Sequence, residues 1–122
     1  MIVVLIVYDS MTGNVERFVK KLNMESLKIH KELRIAEPYV LITYTTRIGE
    51  VSNKTRDFLF DNYPFLKGVA SSGNRNWGTN FAKAADIISE QYKVPIILKF
   101  ELSGTEQDLN TFKERLRELE VH

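Results

Sequence analysis

Three small polar residues and a glycine lie together where the first apolar run of the chain ends. In "IVYDSMTGNV" (6–15), Ser10, Thr12, Gly13 and Asn14 fall within five positions. Glycine takes a positive φ without steric cost, so Gly13 suits a tight turn. The helical pattern that follows would point unpaired N–H groups at an anion. The stretch predicts a phosphate site, and a polar turn with an ordinary N-cap residue is the alternative.

The loop differs from two common phosphate-binding motifs. It has no lysine, so G-x-x-x-x-G-K-[ST] is absent, and G-x-G-x-x-G is missing as well. The hydroxyl and amide side chains of this loop are neutral donors. We therefore expect backbone N–H groups and these side chains to hold the phosphate, with little help from Lys or Arg.

A second polar loop contains the single tryptophan of the chain. Trp77 stands in "SSGNRNWGTNF" (71–81) among glycine, asparagine and arginine. A tryptophan in such surroundings is typical of a stacking surface, and the alternative is an indole folded back over the domain edge. Two glycines would let the backbone approach a flat ligand, and three polar side chains could bind its rim. These residues are Gly73, Gly78, Asn74, Asn76 and Thr79.

A third loop, "TTRIGE" (45–50), combines two threonines with Gly49. It could flank a planar ring opposite the tryptophan, and a hairpin-like turn is the alternative. A neutral phosphate cradle with two ring-flanking loops indicates flavin mononucleotide (FMN). We expect the peptide at Gly49 or Ile48 to turn a carbonyl toward the flavin N5 on reduction, because glycine lowers the cost of that rotation. A rigid turn is again the alternative.

The predicted cofactor site consists of residues from these three loops. They are Asp9, Ser10, Met11, Thr12, Gly13, Asn14, Val15, Thr45, Thr46, Ile48, Gly49, Gly73, Asn74, Asn76, Trp77, Gly78 and Phe81.

Composition narrows the classes of function. The chain of 122 residues is the size of one domain, residues 1–122, with 43% hydrophobic residues and a net charge of +1. Such a charge argues against nucleic acid binding. The absence of cysteine excludes disulfides and thiolate chemistry. The apolar run at 2–7 is too short to span a membrane and lacks a signal-peptide pattern, so we expect a cytoplasmic protein.

Three other classes fit the sequence poorly. A phosphorylated receiver domain needs clustered acidic residues and a lysine after the last strand, whereas Asp9 stands alone. A small tyrosine phosphatase needs a cysteine. A metal enzyme needs converging ligands, but His30 falls on a predicted edge strand and His122 at the terminus. We expect no metal and no catalytic side chain.

The elements that must position these loops alternate along the chain. Apolar runs predict strands at 2–8, 26–30, 39–45, 65–73 and 94–102, and 3.6-residue patterns predict helices from Gly13 and over 51–63, 80–92 and 105–119. This alternation predicts a parallel α/β sheet of order 2-1-3-4-5, a flavodoxin-like arrangement with helices on both faces. Ligands of such sheets bind beyond the carboxyl ends of the strands, where the three loops lie.

Three motifs carry a resemblance to known proteins. "SMTGN" resembles the S/T-x-T-G-x phosphate loop of flavodoxins. "TYTTRIG" and "GNRNWGTNFAKAAD" are similar to the NrdI family, flavodoxin-like activators of class Ib ribonucleotide reductase. The resemblance spans nearly the whole chain, and "GNRNWG-x-NF" is its most specific part. The near-neutral charge departs from the strongly acidic flavodoxins and fits a different partner.

The resemblance implies a function in which the protein is an accessory flavoprotein. NrdI proteins bind FMN, accept electrons from a donor, and act on the small, dimanganese subunit of class Ib ribonucleotide reductase. Reduced flavin and dioxygen give an oxidant, thought to be superoxide, that leads to a tyrosyl radical. The alternative is a flavodoxin-type electron carrier without oxygen chemistry. An FMN-free interaction domain is disfavoured by the phosphate loop.

Overall fold

Five strands and four helices alternate along the chain. The computed structural model describes residues 4–46 and 48–121. The strands are β1 (Leu5–Tyr8), β2 (Ser26–Lys28), β3 (Tyr39–Tyr44), β4 (Leu66–Gly73) and β5 (Ile96–Glu101). The helices are α1 (Asn14–Leu22), α2 (Asn53–Asn62), α3 (Lys83–Tyr92) and α4 (Glu106–Val121), with short 3-10 segments at Tyr63–Phe65 and Arg75–Asn80.

The strands form one parallel sheet in the order β2-β1-β3-β4-β5, which confirms the predicted topology. One face packs against α1 and α4 through side chains such as Phe18 and Phe112, and the other packs against α2 and α3 through side chains such as Phe58 and Ile88. Both faces of the central strands are therefore buried, which explains their continuous apolar sequence.

Two element boundaries differ from the predicted ones in ways that affect the loops. β2 ends at Lys28 rather than at residue 30, because the chain turns after Ile29 and the N–H of Leu33 donates to the carbonyl of His30. α3 begins at Lys83 rather than at residue 80. Ala82 has a left-handed φ of 49°, which separates α3 from the 3-10 segment before it.

Several sequence predictions fall outside the described residues. The predicted start of the first strand at Ile2, Arg47 of the third loop and His122 all lie there. Within residues 4–46 and 48–121, no helix has the length and apolar character needed to cross a membrane.

Candidate cofactor site

A cavity of about 270 Å³ opens at the carboxyl ends of β1, β3, β4 and β5. Its lining comes from the three loops singled out in the sequence and from the strand ends beside them. The lining residues are Ser10, Met11, Thr12, Asn14, Val15, Tyr44, Thr45, Ser72, Gly73, Asn74, Trp77 and Leu102. The sheet topology thus brings together parts of the chain that are more than ninety positions apart.

The turn into α1 leaves backbone donors free at its tip. Gly13 is the N-cap residue with a φ of 92°, so a side chain here would be strained. The N–H of Glu16 is taken by Ser10 Oγ at 3.2 Å. In the part of the chain that the structure describes, nothing accepts from the N–H groups of Asn14 and Val15. These free donors and the helix dipole make the turn suitable for an anion.

Two lysines form ion pairs with the acidic residue in the first turn of α1. Glu16 lies in the first turn of α1, and its carboxylate is 3.4 Å from Lys28 Nζ and 3.5 Å from Lys20 Nζ. The hydrogen bond from Lys28, aided by the charges of both lysines, lowers the pKa of Glu16. The carboxylate stays ionised and paired, so its repulsion of an anion at the turn is reduced.

A cation also lies beside the turn, which the sequence analysis did not foresee. The Arg17 guanidinium donates from Nε to Ser103 Oγ at 3.0 Å and from Nη2 to Asn14 Oδ1 at 2.6 Å. A Cβ added to Gly13 would lie 2.8 Å from Arg17 Nη1. The spacing could have signalled this, since residues four apart share a helix face and Arg17 follows Gly13 by four.

Asp9 is buried but does not line the cavity. Its Oδ2 accepts from Ser52 Oγ at 2.8 Å and from Thr55 Oγ1 at 3.0 Å, and Thr55 also bonds Thr43. Ser52 is the N-cap residue of α2, where its oxygen accepts from the Thr55 N–H. Asp9 therefore ties the start of the loop after β1 to α2, the helix that follows the third loop.

The third loop is a hairpin-like turn. Thr45 pairs with Val51 in an antiparallel bridge, and the Thr46 N–H donates to the Glu50 carbonyl at 2.9 Å. Thr46 Oγ1 accepts from the Glu50 N–H, and Thr45 Oγ1 accepts from the Ala84 N–H. Both threonine oxygens therefore accept bonds from within the protein, while Ile48 at the tip is 72% exposed.

Hydrogen bonds from within the protein also fix the loop after β4. Asn74 Oδ1 accepts from the Asn76 N–H, and the Trp77 N–H donates to the Asn74 carbonyl. The Arg75 guanidinium lies 4.5 Å from the ring centre of Phe81, and Glu101 accepts from the Arg75 N–H. These bonds fix a 3-10 segment in which Trp77 is half-buried and faces the cavity.

Glycines let the loops after β3 and β4 pack closely against their surroundings. Gly49 has a φ of 82°, and a Cβ there would lie 2.7 Å from Asn80 Oδ1. A Cβ on Gly73 would lie 2.5 Å from the Ala82 nitrogen, so the protein's own backbone requires glycine at that position. Gly78 has open space around it, and its φ of 58° and ψ of −125° favour glycine.

The structure brings together part of the predicted set. Nine of its members line the cavity: Ser10, Met11, Thr12, Asn14, Val15, Thr45, Gly73, Asn74 and Trp77. The other eight do not line it: Asp9, Gly13, Thr46, Ile48, Gly49, Asn76, Gly78 and Phe81.

Three cavity-lining residues were missed. Tyr44 and Ser72 lie at the carboxyl ends of β3 and β4, and Leu102 follows β5 with a left-handed φ of 53°. Their position at strand ends was the available signal, since that edge of the sheet was already predicted to bind the ligand.

The lining fits a phosphate-bearing, flat ligand. Free N–H groups and hydroxyls lie at the turn into α1, and Tyr44, Trp77 and Leu102 add apolar surface to the lining. Among residues 4–46 and 48–121, no three His, Asp or Glu side chains come close enough to hold a metal ion.

Comparisons with known proteins agree with this geometry. Residues 6–114 match the family described as NrdI flavodoxin-like. The chain is 54% identical over 112 residues to Protein NrdI of Bacillus licheniformis, covering 91% of this chain and 86% of that protein.

Two solved structures show the same fold at low identity. A short-chain flavodoxin associated with a PDU bacterial microcompartment superposes with a TM-score of 0.77 at 23% identity, covering 99% of this chain and 98% of that one. Oxidised flavodoxin 2 from Bacillus cereus gives a TM-score of 0.70 at 21% identity, covering 98% and 99%. The family match and the 54% identical relative together establish that the chain belongs to the NrdI family of flavodoxin-like proteins, which implies a flavin cofactor.

Proposed function

We propose that this protein binds FMN and activates a class Ib ribonucleotide reductase. Its partner in this proposal is the small, dimanganese subunit of the reductase, and a separate electron donor reduces the flavin. When bound and reduced, FMN supplies electrons to dioxygen and so provides the oxidant, superoxide, for assembly of the tyrosyl radical. The protein is then an accessory flavoprotein of the cytoplasm rather than a stand-alone enzyme.

The observation that carries the proposal is the combination of family and cavity. The chain is 54% identical to an NrdI protein, and its cavity opens where a flavodoxin-like sheet binds ligands. Free N–H groups at Asn14 and Val15 favour a ligand that carries phosphate. An apolar surface from Trp77 favours one that also carries a flat ring.

The residues around the cavity divide into two roles in this proposal. Ser10, Thr12 and Asn14, with the backbone at the tip of α1, bind the phosphate. Trp77 lies against the ring, and the hairpin-like turn at 45–51 borders the edge of the ring that carries N5. Asp9, through Ser52 and Thr55, and Asn74, through the Asn76 N–H, keep these loops in place.

The turn at 45–51 has a further role in handling a proton. Reduction of a flavin adds a proton at N5, which a backbone carbonyl can then accept as a hydrogen bond. The peptide joining Ile48 and Gly49 is suited to this, because Gly49 already has a positive φ and glycine rotates at low cost. The exposed tip at Ile48 leaves that edge open to a small molecule such as dioxygen.

An absorbance spectrum and an oxygen assay test the proposal. The purified protein should show a flavin spectrum, and release of the cofactor should give FMN. After anaerobic titration with dithionite, admission of air should reoxidise the protein rapidly, and the product should activate a manganese-loaded small subunit. Slow reoxidation without activation would favour the electron-carrier alternative. A colourless protein that does not bind added FMN would contradict both.

A further inference from the structure

Two side chains hold the Arg17 guanidinium beside the turn at Gly13. Ser103 Oγ accepts from Nε at 3.0 Å, and Asn14 Oδ1 accepts from Nη2 at 2.6 Å. Ser103 Oγ also donates to Asn14 Oδ1 at 2.8 Å. The guanidinium is thus fixed before any ligand binds, which lowers the entropy that a contact with a ligand would lose.

The third nitrogen of this guanidinium is available for a ligand. Nη1 lies 2.8 Å from the position that a Cβ on Gly13 would take. Within the described ranges 4–46 and 48–121, no atom accepts from Nη1. A guanidinium carries five N–H donors, so the two bonds to Ser103 and Asn14 leave donors over at the turn.

The same contacts fix the orientation of Asn14. Its Oδ1 accepts from both Arg17 and Ser103, so the amide NH₂ is the part of the side chain left for a ligand. Together with the free N–H groups of Asn14 and Val15, the turn presents donors and one full positive charge. This combination suits a dianionic phosphate monoester better than a neutral hydroxyl.

Resting on the proposed function, we propose that Arg17 is the residue that makes the site selective for the phosphate monoester. It would distinguish FMN from riboflavin, which has the same ring and lacks the phosphate. Ser103 is a positioning residue in this proposal, because it holds the Arg17 guanidinium beside the turn and would not itself contact the phosphate. The proposal replaces the expectation that the phosphate is held with little help from Lys or Arg.

Titration of the flavin-free full chain with FMN and with riboflavin tests the proposal. Arg17→Gln should weaken FMN binding about 10- to 100-fold, the range for a charge-assisted hydrogen bond, and leave riboflavin binding within about twofold. Lys21→Gln is the matched control, because it removes one exposed positive charge from the same helix and should change neither. Arg17→Lys should retain part of the preference for FMN.

Salt adds a readout that a purely structural role would not alter. FMN affinity of the natural protein should fall with ionic strength, and Arg17→Gln should lose most of that dependence. An equal loss of FMN and riboflavin binding in Arg17→Gln and Arg17→Lys would overturn the proposal, because Arg17 would then only brace the loop. Unchanged FMN binding in Arg17→Gln would overturn it as well. If the natural protein binds riboflavin as tightly as FMN, no selectivity for the phosphate exists, and the proposal fails together with the assignment of the phosphate to this loop.

Discussion

The cavity has two ends in our proposal, a phosphate end at the turn into α1 and a ring end at the loops after β3 and β4, and they use polar residues in opposite ways. At the phosphate end, the backbone N–H groups of Asn14 and Val15 have no acceptor among the described residues. At the ring end, Thr45, Thr46 and Asn74 each accept a backbone N–H from within the protein. Similar residue types therefore present donors to a ligand in one loop and maintain the shape of the loop in the others.

The difference follows from the structures that the two ends join. A strand-to-helix turn has unpaired N–H groups by construction, because the first turn of a helix lacks internal acceptors. A hairpin-like turn or a 3-10 segment has to satisfy its own backbone. In the proposed site the contacts with the ring would therefore come from side chains such as Tyr44 and Trp77, whose surfaces are largely apolar. Substitutions at the two ends should therefore change the affinities for FMN and riboflavin in different ways.

Gly13→Val should give the largest effect, and it acts on the phosphate end alone. A left-handed φ costs an L-residue about 1–2 kcal/mol, and the new side chain would also displace Arg17. We expect FMN affinity to fall about 100-fold, measured by fluorescence titration, with riboflavin affinity much less affected. Unchanged FMN affinity would count against the phosphate assignment.

Asp9→Ala should destabilise the loops at both ends of the cavity, because Asp9 links the end of β1 to the cap of α2. Loss of the bonds from Ser52 and Thr55 should lower the free energy of unfolding by about 2 kcal/mol, measured by urea denaturation. Asp57→Ala is the control, since that carboxylate is exposed on α2 and should change stability by less than about 0.5 kcal/mol. Equal stability of the two variants would refute the link.

Trp77→Ala should remove contacts with the ring and leave the phosphate end unchanged. Loss of the stacking surface should weaken FMN and riboflavin binding alike, by about tenfold, and should change the circular dichroism of the bound flavin. Phe60→Ala is the control, because Phe60 is 79% exposed on α2 and does not line the cavity. If Trp77→Ala leaves both the affinity and the dichroism unchanged, the indole has a structural role.

Gly49→Ala should give the smallest effect, a shift in reduction potential. If the peptide joining Ile48 and Gly49 rotates on reduction, Gly49 leaves the left-handed φ of 82° that the structure shows. Alanine should then strain the conformation before rotation by roughly 1 kcal/mol more than the rotated one, a shift of about 20 mV to more positive potential. The added Cβ also meets Asn80 Oδ1 at 2.7 Å, so the double variant with Asn80→Ala separates the clash from the rotation. Identical potentials and reoxidation rates in the natural protein and both variants would exclude the switch.

The sequence predicted the topology of the sheet because alternating periodicity and apolar strands are local signals. The cap of α4 depends on a similarly local signal, since Thr105 and Asp108, three positions apart, bond each other's backbone N–H groups. The role of Asp9 could not be predicted, because its partners Ser52 and Thr55 are more than forty positions away. A buried carboxylate at the end of a strand has the same local pattern whether it faces a ligand or a neighbouring helix.

Arg17 and Ser103 were missed for a related reason. The loop itself, residues 9–14, contains no Lys or Arg, whereas Arg17 reaches back to it from the first turns of α1. Ser103 comes from the turn after β5, a contact across 86 positions that no local motif contains. Thr45 and Thr46 present the opposite case, because they were expected to face a ligand. Their hydroxyl oxygens instead accept backbone N–H groups of the protein, which the sequence of the loop did not indicate.

The contact between Ser103 and Asn14 also bears on how the protein matures during synthesis. Residues 10–14 are synthesised well before Ser103, and the brace that orients Asn14 and Arg17 comes from 89 positions further along the chain. β5 must first join the sheet beside β4, so the turn at Gly13 is completed only when the segment through Ser103 has folded. A ligand captured at this turn would therefore stabilise a sheet that has already formed.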